Sequence, residues 1–262
     1  MIIKSDDSLG TAGTLYNETL DEDKTKHILE LLRKLTGSPE LEAKKLAYEA
    51  IILLCDYLNL WNGVNKGNLA AVGTELRKVQ ASYADMAPAF YAQGFLDRTN
   101  GEHEAALASF SKATQLDPCY HRAYAQKGNE LLYLGFPKRA LTEVRRAIEL
   151  SPGSATRGMY YWIVGRTHFF MENYEEAIPW LKLSTESWKK LFYNRLYLIS
   201  AYALIDEEDS AKRELAEFKS IFPDYTIERV IKNEETNPNK LPFVVEGRRK
   251  YHLGLRIAGM PP

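Results

Sequence analysis

The side chains that could perform catalysis or hold a metal are scattered along this sequence. None of the five histidines pairs with a second ligand at i+3 or i+4 in a zinc pattern. A glycine-rich phosphate loop and a G-x-S-x-G nucleophile elbow are also absent from the sequence. We therefore predict no catalytic residues, no metal and no cofactor. The histidines are His27, His103, His121, His168 and His252.

Two pairs of adjacent glutamates are the best candidates for acid–base chemistry, Glu175-Glu176 and Glu207-Glu208. Both pairs are expected at turns before helices, where carboxylates complement the helix dipole. His168 is expected inside a helix, and a hydrogen-bonded structural histidine is the favoured interpretation. The sequence thus predicts a protein that is not an enzyme. An enzyme stays an alternative only if a pocket gathers titratable groups that lie far apart in the sequence.

The stretch from Ala87 to Ser154 repeats itself at a shift of 34 residues. A period of 34 is the spacing of stacked helix–turn–helix units. Small residues stand where two helices must approach closely, Gly101 stands in the expected tight turn, and Pro118 ends a helix. The matched pairs are Phe90/Tyr124, Gly94/Gly128, Gly101/Gly135, Ala106/Ala140, Ala113/Ala147, Leu116/Leu150 and Pro118/Pro152.

These small, aromatic and proline positions resemble those of the tetratricopeptide repeat family. The resemblance implies an all-α, right-handed solenoid of helical hairpins. Gly165 and Ala177 continue the register with three residues inserted, although Lys189 replaces the terminal proline of the third unit. The register therefore predicts four units in all, at residues 87–120, 121–154, 158–191 and 192–225.

The segments on either side of the four units are also expected to be mainly helical. Residues 1–18 are predicted to be a flexible lead. Residues 19–86 predict helices that are either a degenerate repeat or a filling of the groove, with Asn65 capping the third helix. Residues 226–262 predict a C-terminal cap with a basic amphipathic helix at Val244–Ala258. A helix lying on a membrane surface is the alternative for that segment.

The C-terminal sequence carries a more specific resemblance. FPDYTIERVI and GRRKYHLGLRIAGMPP resemble the ending of bacterial tetratricopeptide arrays attached to class III adenylate cyclase-type and CadC-like regulators. The central stretch IELSPGSATRGMYYWIVGRTHFFMENYEEAIPWL resembles the repeats of those arrays. The resemblance spans about residues 88–262. It implies a recognition or regulatory module, without a cyclase or winged-helix domain in the first 86 residues.

The resemblance also implies a binding groove lined by the first helix of each unit. Arg166 is expected to contact a ligand, so that Arg166→Ala weakens binding and scarcely changes stability. The lysine and asparagine of the chaperone-tail clamp found in some family members are replaced by Tyr91 and Phe95. The implied groove residues are Tyr91, Phe95, Arg98, Arg122, Asn129, Tyr133, Trp162, Arg166, Phe169, Tyr193 and Tyr197.

Composition limits the partners and the compartment. The formal net charge of −1 gives no overall field that attracts nucleic acid or an anionic membrane. Two cysteines far apart do not predict a disulfide framework, and no secretory signal is visible. We therefore predict a cytoplasmic protein. Its expected function is a scaffold for a protein or peptide partner; the alternative is a sensory module that binds a small aromatic or anionic ligand and acts on a separate effector.

Overall fold

The structure is a computed structural model that describes residues 22–59, 64, 66–154, 156–188 and 192–262. Within these residues the regular elements are α-helices and there is no strand, so the all-α prediction is confirmed. The predicted lead (residues 1–18) and the predictions for Asn65 and Lys189 lie outside the described residues. The helices are α1 (Glu22–Arg33), α2 (Pro39–Asn59), α3 (Lys66–Ser82), α4 (Ala87–Thr99), α5 (His103–Leu116), α6 (His121–Tyr133), α7 (Pro137–Glu149), α8 (Arg157–Phe170), α9 (Tyr174–Ser187), α10 (Phe192–Leu204), α11 (Glu208–Ile221), α12 (Ile227–Glu234) and α13 (Pro242–Ile257).

Left-handed residues mark the turns inside four hairpins, α4–α5, α6–α7, α8–α9 and α10–α11. Gly101 and Gly135 have φ angles of 79° and 80°, a conformation that costs glycine little. The third and fourth turns place Glu172 and Asp206 at the same point, each with φ of 60°. The four turn residues follow the spacing that the sequence predicts, including the three inserted residues.

Close approach of the two helices explains the glycine of the first three hairpins. A Cβ atom added to Gly128 would lie 2.5 Å from Val144 Cγ2 and 2.9 Å from the carbonyl oxygen of Ala140. The corresponding glycines, Gly94 and Gly165, lie equally close to their second helices. At Gly94 the added atom would meet the Phe110 ring, whereas at Gly128 and Gly165 it would also meet a backbone carbonyl oxygen, which cannot move aside cheaply.

The described residues form two compact units. The first holds α1 to α5 and α6 as far as Tyr124, with Ser154 and Thr156. In this unit α2 packs against both α3 and α4, and α3 also packs against α4. Buried side chains such as Ile51, Leu76 and Phe110 fill its core.

The second unit holds the rest of α6 and all helices from α7 to α13. In it α9 packs against α8 and α10, and α11 packs against α10. The C-terminal helix α13 packs against α10, the first helix of the last hairpin, and also against α8 of the hairpin before it. No helix in the described part of the chain is long and apolar enough to cross a bilayer.

Candidate binding face on the first helices of the hairpins

A surface of α8 and α10 in the second unit receives the helix α13. We call it the α8–α10 face and define it by Phe169, Phe170, Tyr197 and Ser200. The Tyr251 ring of α13 stacks on the Tyr197 ring at 4.1 Å between centroids and 7° between planes. Ser200 Oγ donates a hydrogen bond of 3.0 Å to the carbonyl oxygen of Tyr251. An amphipathic helix is therefore already seated on this face.

Two glycines allow α13 to lie close to the face. A Cβ atom on Gly254 would be 2.6 Å from the carbonyl oxygen and 2.8 Å from the Cα of Ser200. A Cβ atom on Gly247 would be 2.7 Å from Cδ2 of the Phe170 ring. With Tyr251 and Ala258 these residues repeat at intervals of four, three and four, which is one stripe of an α-helix. The stripe is visible in the sequence, but no local pattern shows that it lies on α8 and α10.

Aromatic rings make most of the apolar area beneath α13. The ring of Phe169 meets that of Tyr197 edge-on at 5.2 Å and that of Tyr251 at 6.3 Å. Phe170 meets Phe243 of α13 edge-on at 6.0 Å. Edge-on and offset pairs of this kind add stability beyond the area that they bury.

Polar groups hold the C-terminal segment at its edges. Glu234 of α12 lies 3.7 Å from Arg248 and 3.3 Å from His252, both on α13. At the other side Lys250 forms an ion pair of 3.1 Å with Glu172, the left-handed turn residue. Because these pairs are partly exposed, we expect them to fix orientation more than to supply stability.

Arg166 of α8 lies in the interior of the second unit and is only 3% exposed. Its Nη1 donates 2.8 Å to the hydroxyl of Tyr133, and its Nη2 donates to Oδ1 of Asn129. The guanidinium also stacks on the Trp162 ring, 4.3 Å from the centroid. The structure thus brings together four of the sequence-predicted residues, but as a buried cluster.

The remaining predicted residues of the second unit border this cluster. Phe169 and Tyr197 are buried, whereas Tyr193 is half-buried with its ring 5.9 Å from that of Trp162, which is also half-buried. Burial raises the pKa of Tyr193, of Tyr197 and of Tyr251 well above the usual range. At neutral pH these hydroxyls are therefore uncharged and are able to donate or accept hydrogen bonds.

The predicted groove residues of the first unit are core residues there. Tyr91 and Phe95 pack edge-on at 5.0 Å, and Phe110 lies within 5.6 Å of both rings. The guanidinium of Arg98 lies over Phe95 at 5.1 Å, and that of Arg122 lies over Tyr91 at 6.0 Å. All four predicted residues are at most 4% exposed. Their use as ligand contacts stays a prediction.

The described residues show no group of three histidine, cysteine, aspartate or glutamate side chains placed to hold a metal ion. His168 lies on α8, and burial lowers its pKa. Both cysteines are free: Cys55 is buried and Cys119 is exposed. The contacts that the α8–α10 face makes with α13 are ring stacking and a hydrogen bond from Ser200.

Comparison with known proteins agrees with this architecture. Residues 87–118 match the family model described as tetratricopeptide repeat. Solved structures with a similar fold include Pseudomonas aeruginosa PilF, at 17% identity and a TM-score of 0.54 over 84% of this chain and 93% of that one. A thermophilic tetratricopeptide protein of Thermus thermophilus, TTC0263, matches at 16% identity and a TM-score of 0.55, over 75% of this chain and 98% of that one.

A third structure, residues 41 to the end of MamA from Desulfovibrio magneticus RS-1, matches at 17% identity and a TM-score of 0.51. The match covers 68% of this chain and 96% of that one. At such identities the likeness establishes the fold alone. The helical hairpins, their turn spacing and the match at residues 87–118 agree, and the chain is a protein of the tetratricopeptide-repeat fold.

Proposed function

We propose that this chain is a non-catalytic scaffold that binds a segment of another protein on the α8–α10 face. The observation that carries the proposal is the docking of α13, because a helix with Gly247, Tyr251 and Gly254 on one side is accepted there. A partner helix with a similar stripe would meet the same rings and the same close backbone approach. Aromatic surfaces of this kind bind with little loss of side-chain freedom.

Any such partner must compete with α13. A helix tethered to its own binding surface by a short linker acts at an effective concentration on the order of millimolar. A free segment of equal intrinsic affinity therefore binds weakly while α13 is docked. Partner binding and release of α13 are one coupled equilibrium in this proposal.

Gly254→Leu is expected to release α13 and to open the face. The new side chain would collide with the backbone of Ser200, which cannot move aside without disturbing α10. Hydrogen exchange at residues 242–257 should rise in the variant. A labelled synthetic peptide of residues 241–262 should then bind the full-length variant about tenfold or more tightly than the wild-type chain.

Leu253→Ala is the matched control, because its side chain lies on the exposed side of the same helix. It should leave both hydrogen exchange and peptide binding unchanged. A Gly254→Leu chain that exposes residues 242–257 yet binds the peptide no better than wild type would refute the helix-binding proposal. Circular dichroism of the variant should show that the other helices persist.

We also propose that residues 87–225 act as four repeats, with residues 19–86 preceding them and residues 226–262 serving as the segment that covers the last two. The contacts of α2, α3 and α4 support reading α2 and α3 as one further, degenerate repeat, since α2 and α3 pair and both reach the next first helix. We place the protein in the cytoplasm, in keeping with its free cysteines.

A sensory module that binds a small aromatic or anionic ligand is the second proposal. The surroundings of Arg166 favour it, because a guanidinium stacked on a half-buried tryptophan suits such a ligand. The support for an effector of the cyclase or transcription type is the resemblance of the C-terminal residues alone. Nucleic acid and membrane are not among the partners that we propose.

A further inference from the structure

Buried polar atoms without hydrogen-bond partners occur both on α8 and in the C-terminal segment. On α8, the indole Nε1 of Trp162 and the Nε of Arg166 are buried donors with no acceptor among the described residues. In the C-terminal segment, the hydroxyl of Tyr251 and Oδ1 of Asn237 are likewise buried and without hydrogen bonds there. Buried donors and acceptors of this kind lower stability. With the C-terminal segment docked, polar atoms of α8 therefore stay without hydrogen bonds.

The charge of Arg166 is also incompletely matched. Its two hydrogen bonds go to a phenol and to an amide, which are both neutral. Among the ion pairs of the described residues, none includes Arg166. A buried guanidinium is normally compensated by a carboxylate or a phosphate. The second unit thus contains a buried positive charge whose best partner is an anion.

We propose that the partner of the α8–α10 face also supplies a carboxylate, which accepts hydrogen bonds from Nε of Arg166 and Nε1 of Trp162 next to that face. This inference rests on the proposed function, because it names the chemical group that the bound segment presents. The two donors belong to residues one helical turn apart, and a carboxylate has two oxygens to offer. The half-buried rings of Trp162 and Tyr193 would receive the apolar body that carries the acid.

The C-terminal segment borders this site and must move for it to fill. Asn239 Nδ2 donates 2.9 Å to the carbonyl oxygen of Tyr133, whose hydroxyl holds Arg166. Gly247 lies against Phe170, and the Arg166 guanidinium is 6.0 Å from the centre of that ring. A carboxylate-bearing segment would gain the two hydrogen bonds that α13 leaves unmade. That gain is what would let it replace a tethered competitor.

The test uses full-length wild-type and Gly254→Leu chains with four defined probes. The first probe is the small carboxylate 3-phenylpropionate, and 3-phenylpropionamide is its uncharged control. The second probe is the capped dipeptide Ac-Phe-Glu-NH2, which presents a side-chain carboxylate, and Ac-Phe-Gln-NH2 is its uncharged control. Heteronuclear NMR reports the Trp162 indole N–H and the Arg166 Nε–H, and the indole N–H of Trp180 is the internal control. Like the Trp162 ring, the Trp180 ring lies 5.9 Å from a tyrosine ring, that of Tyr161. Unlike Trp162 Nε1, its indole nitrogen is not among the buried donors that lack an acceptor.

At least one acid should shift the Trp162 and Arg166 signals and bind about tenfold or more tightly than its amide, as a charge-assisted hydrogen bond requires. Binding should be tighter to Gly254→Leu than to wild type. Trp162→Phe keeps an aromatic ring but removes one donor, so it should weaken acid binding by about tenfold. It should weaken amide binding less, because the amide oxygen accepts only a neutral hydrogen bond.

The outcomes separate this inference from the proposed function. Equal binding of acids and amides, or a shift of Trp180 in place of Trp162, overturns the carboxylate site even if the 241–262 peptide binds. Binding of 3-phenylpropionate without binding of either the glutamyl probe or the 241–262 peptide supports the site but refutes a protein partner. Binding of the glutamyl probe and the peptide supports both. Failure of every probe and of the peptide overturns both.

Discussion

Ala140→Trp is expected to destabilise the second unit by about 3 kcal/mol, the upper part of the range for overpacked cores. Ala140 is completely buried, and its carbonyl oxygen would lie only 2.9 Å from a Cβ atom on Gly128 of the facing helix. An indole ring at this position must force α6 and α7 apart. Urea denaturation followed by circular dichroism should show an earlier midpoint with a similar slope.

Thr142→Trp is the control for this experiment, because it places the same side chain at an exposed position of the same helix. Its free energy of unfolding should stay within about 0.5 kcal/mol of wild type. If Ala140→Trp behaved like Thr142→Trp, the close packing of α6 on α7 would be wrong, and the 34-residue register with it.

Arg166→Ala is expected to lower the free energy of unfolding by about 2–4 kcal/mol. The change removes two hydrogen bonds and a guanidinium stacked on Trp162, and it leaves the oxygen of Asn129 buried without its donor. The hypothesis that this substitution scarcely changes stability, drawn from the sequence, does not fit a side chain that is 3% exposed. Thermal and urea denaturation measure the difference.

Two further variants separate the causes of that loss. Arg166→Met retains much of the volume but not the guanidinium, so a loss as large as that of Arg166→Ala assigns the effect to the hydrogen bonds and the stacking on Trp162, not to lost volume. Arg145→Ala removes an exposed arginine from α7 and should change stability by less than about 0.5 kcal/mol. Wild-type stability in Arg166→Ala would instead mean that Arg166 lies at an open surface.

The helical hairpins were predictable because their signals are local and repeated. Gly94, Gly128 and Gly165 recur with the period of the unit, and each lies where a side chain would clash with the next helix. The turn could be located even where glycine is absent, since Glu172 and Asp206 keep the register and adopt the same left-handed conformation. Spacing therefore predicted the turns better than residue type did.

The candidate site was less predictable, because burial depends on what covers a helix. Tyr91, Phe95 and Arg98 stand at positions that line a groove in the family, yet here they are core residues beside Phe110. Nothing in the period shows whether a first helix faces water or another segment. The sequence of α13 does contain the glycine and tyrosine stripe, but its destination is about fifty residues earlier in the chain, beyond the reach of a local pattern.

That separation has a consequence for synthesis on the ribosome. The hydrogen bond between Ser200 and Tyr251 joins residues 51 positions apart, whereas each hairpin closes within a single unit. Local hairpins form early and long-range contacts form late, since the intervening chain must first be made and then ordered. The nascent protein therefore presents the Phe170 and Tyr197 rings to water for the time that those residues take to be translated. During that interval this aromatic surface is open to any chaperone or partner beside the ribosome, before α13 exists to cover it.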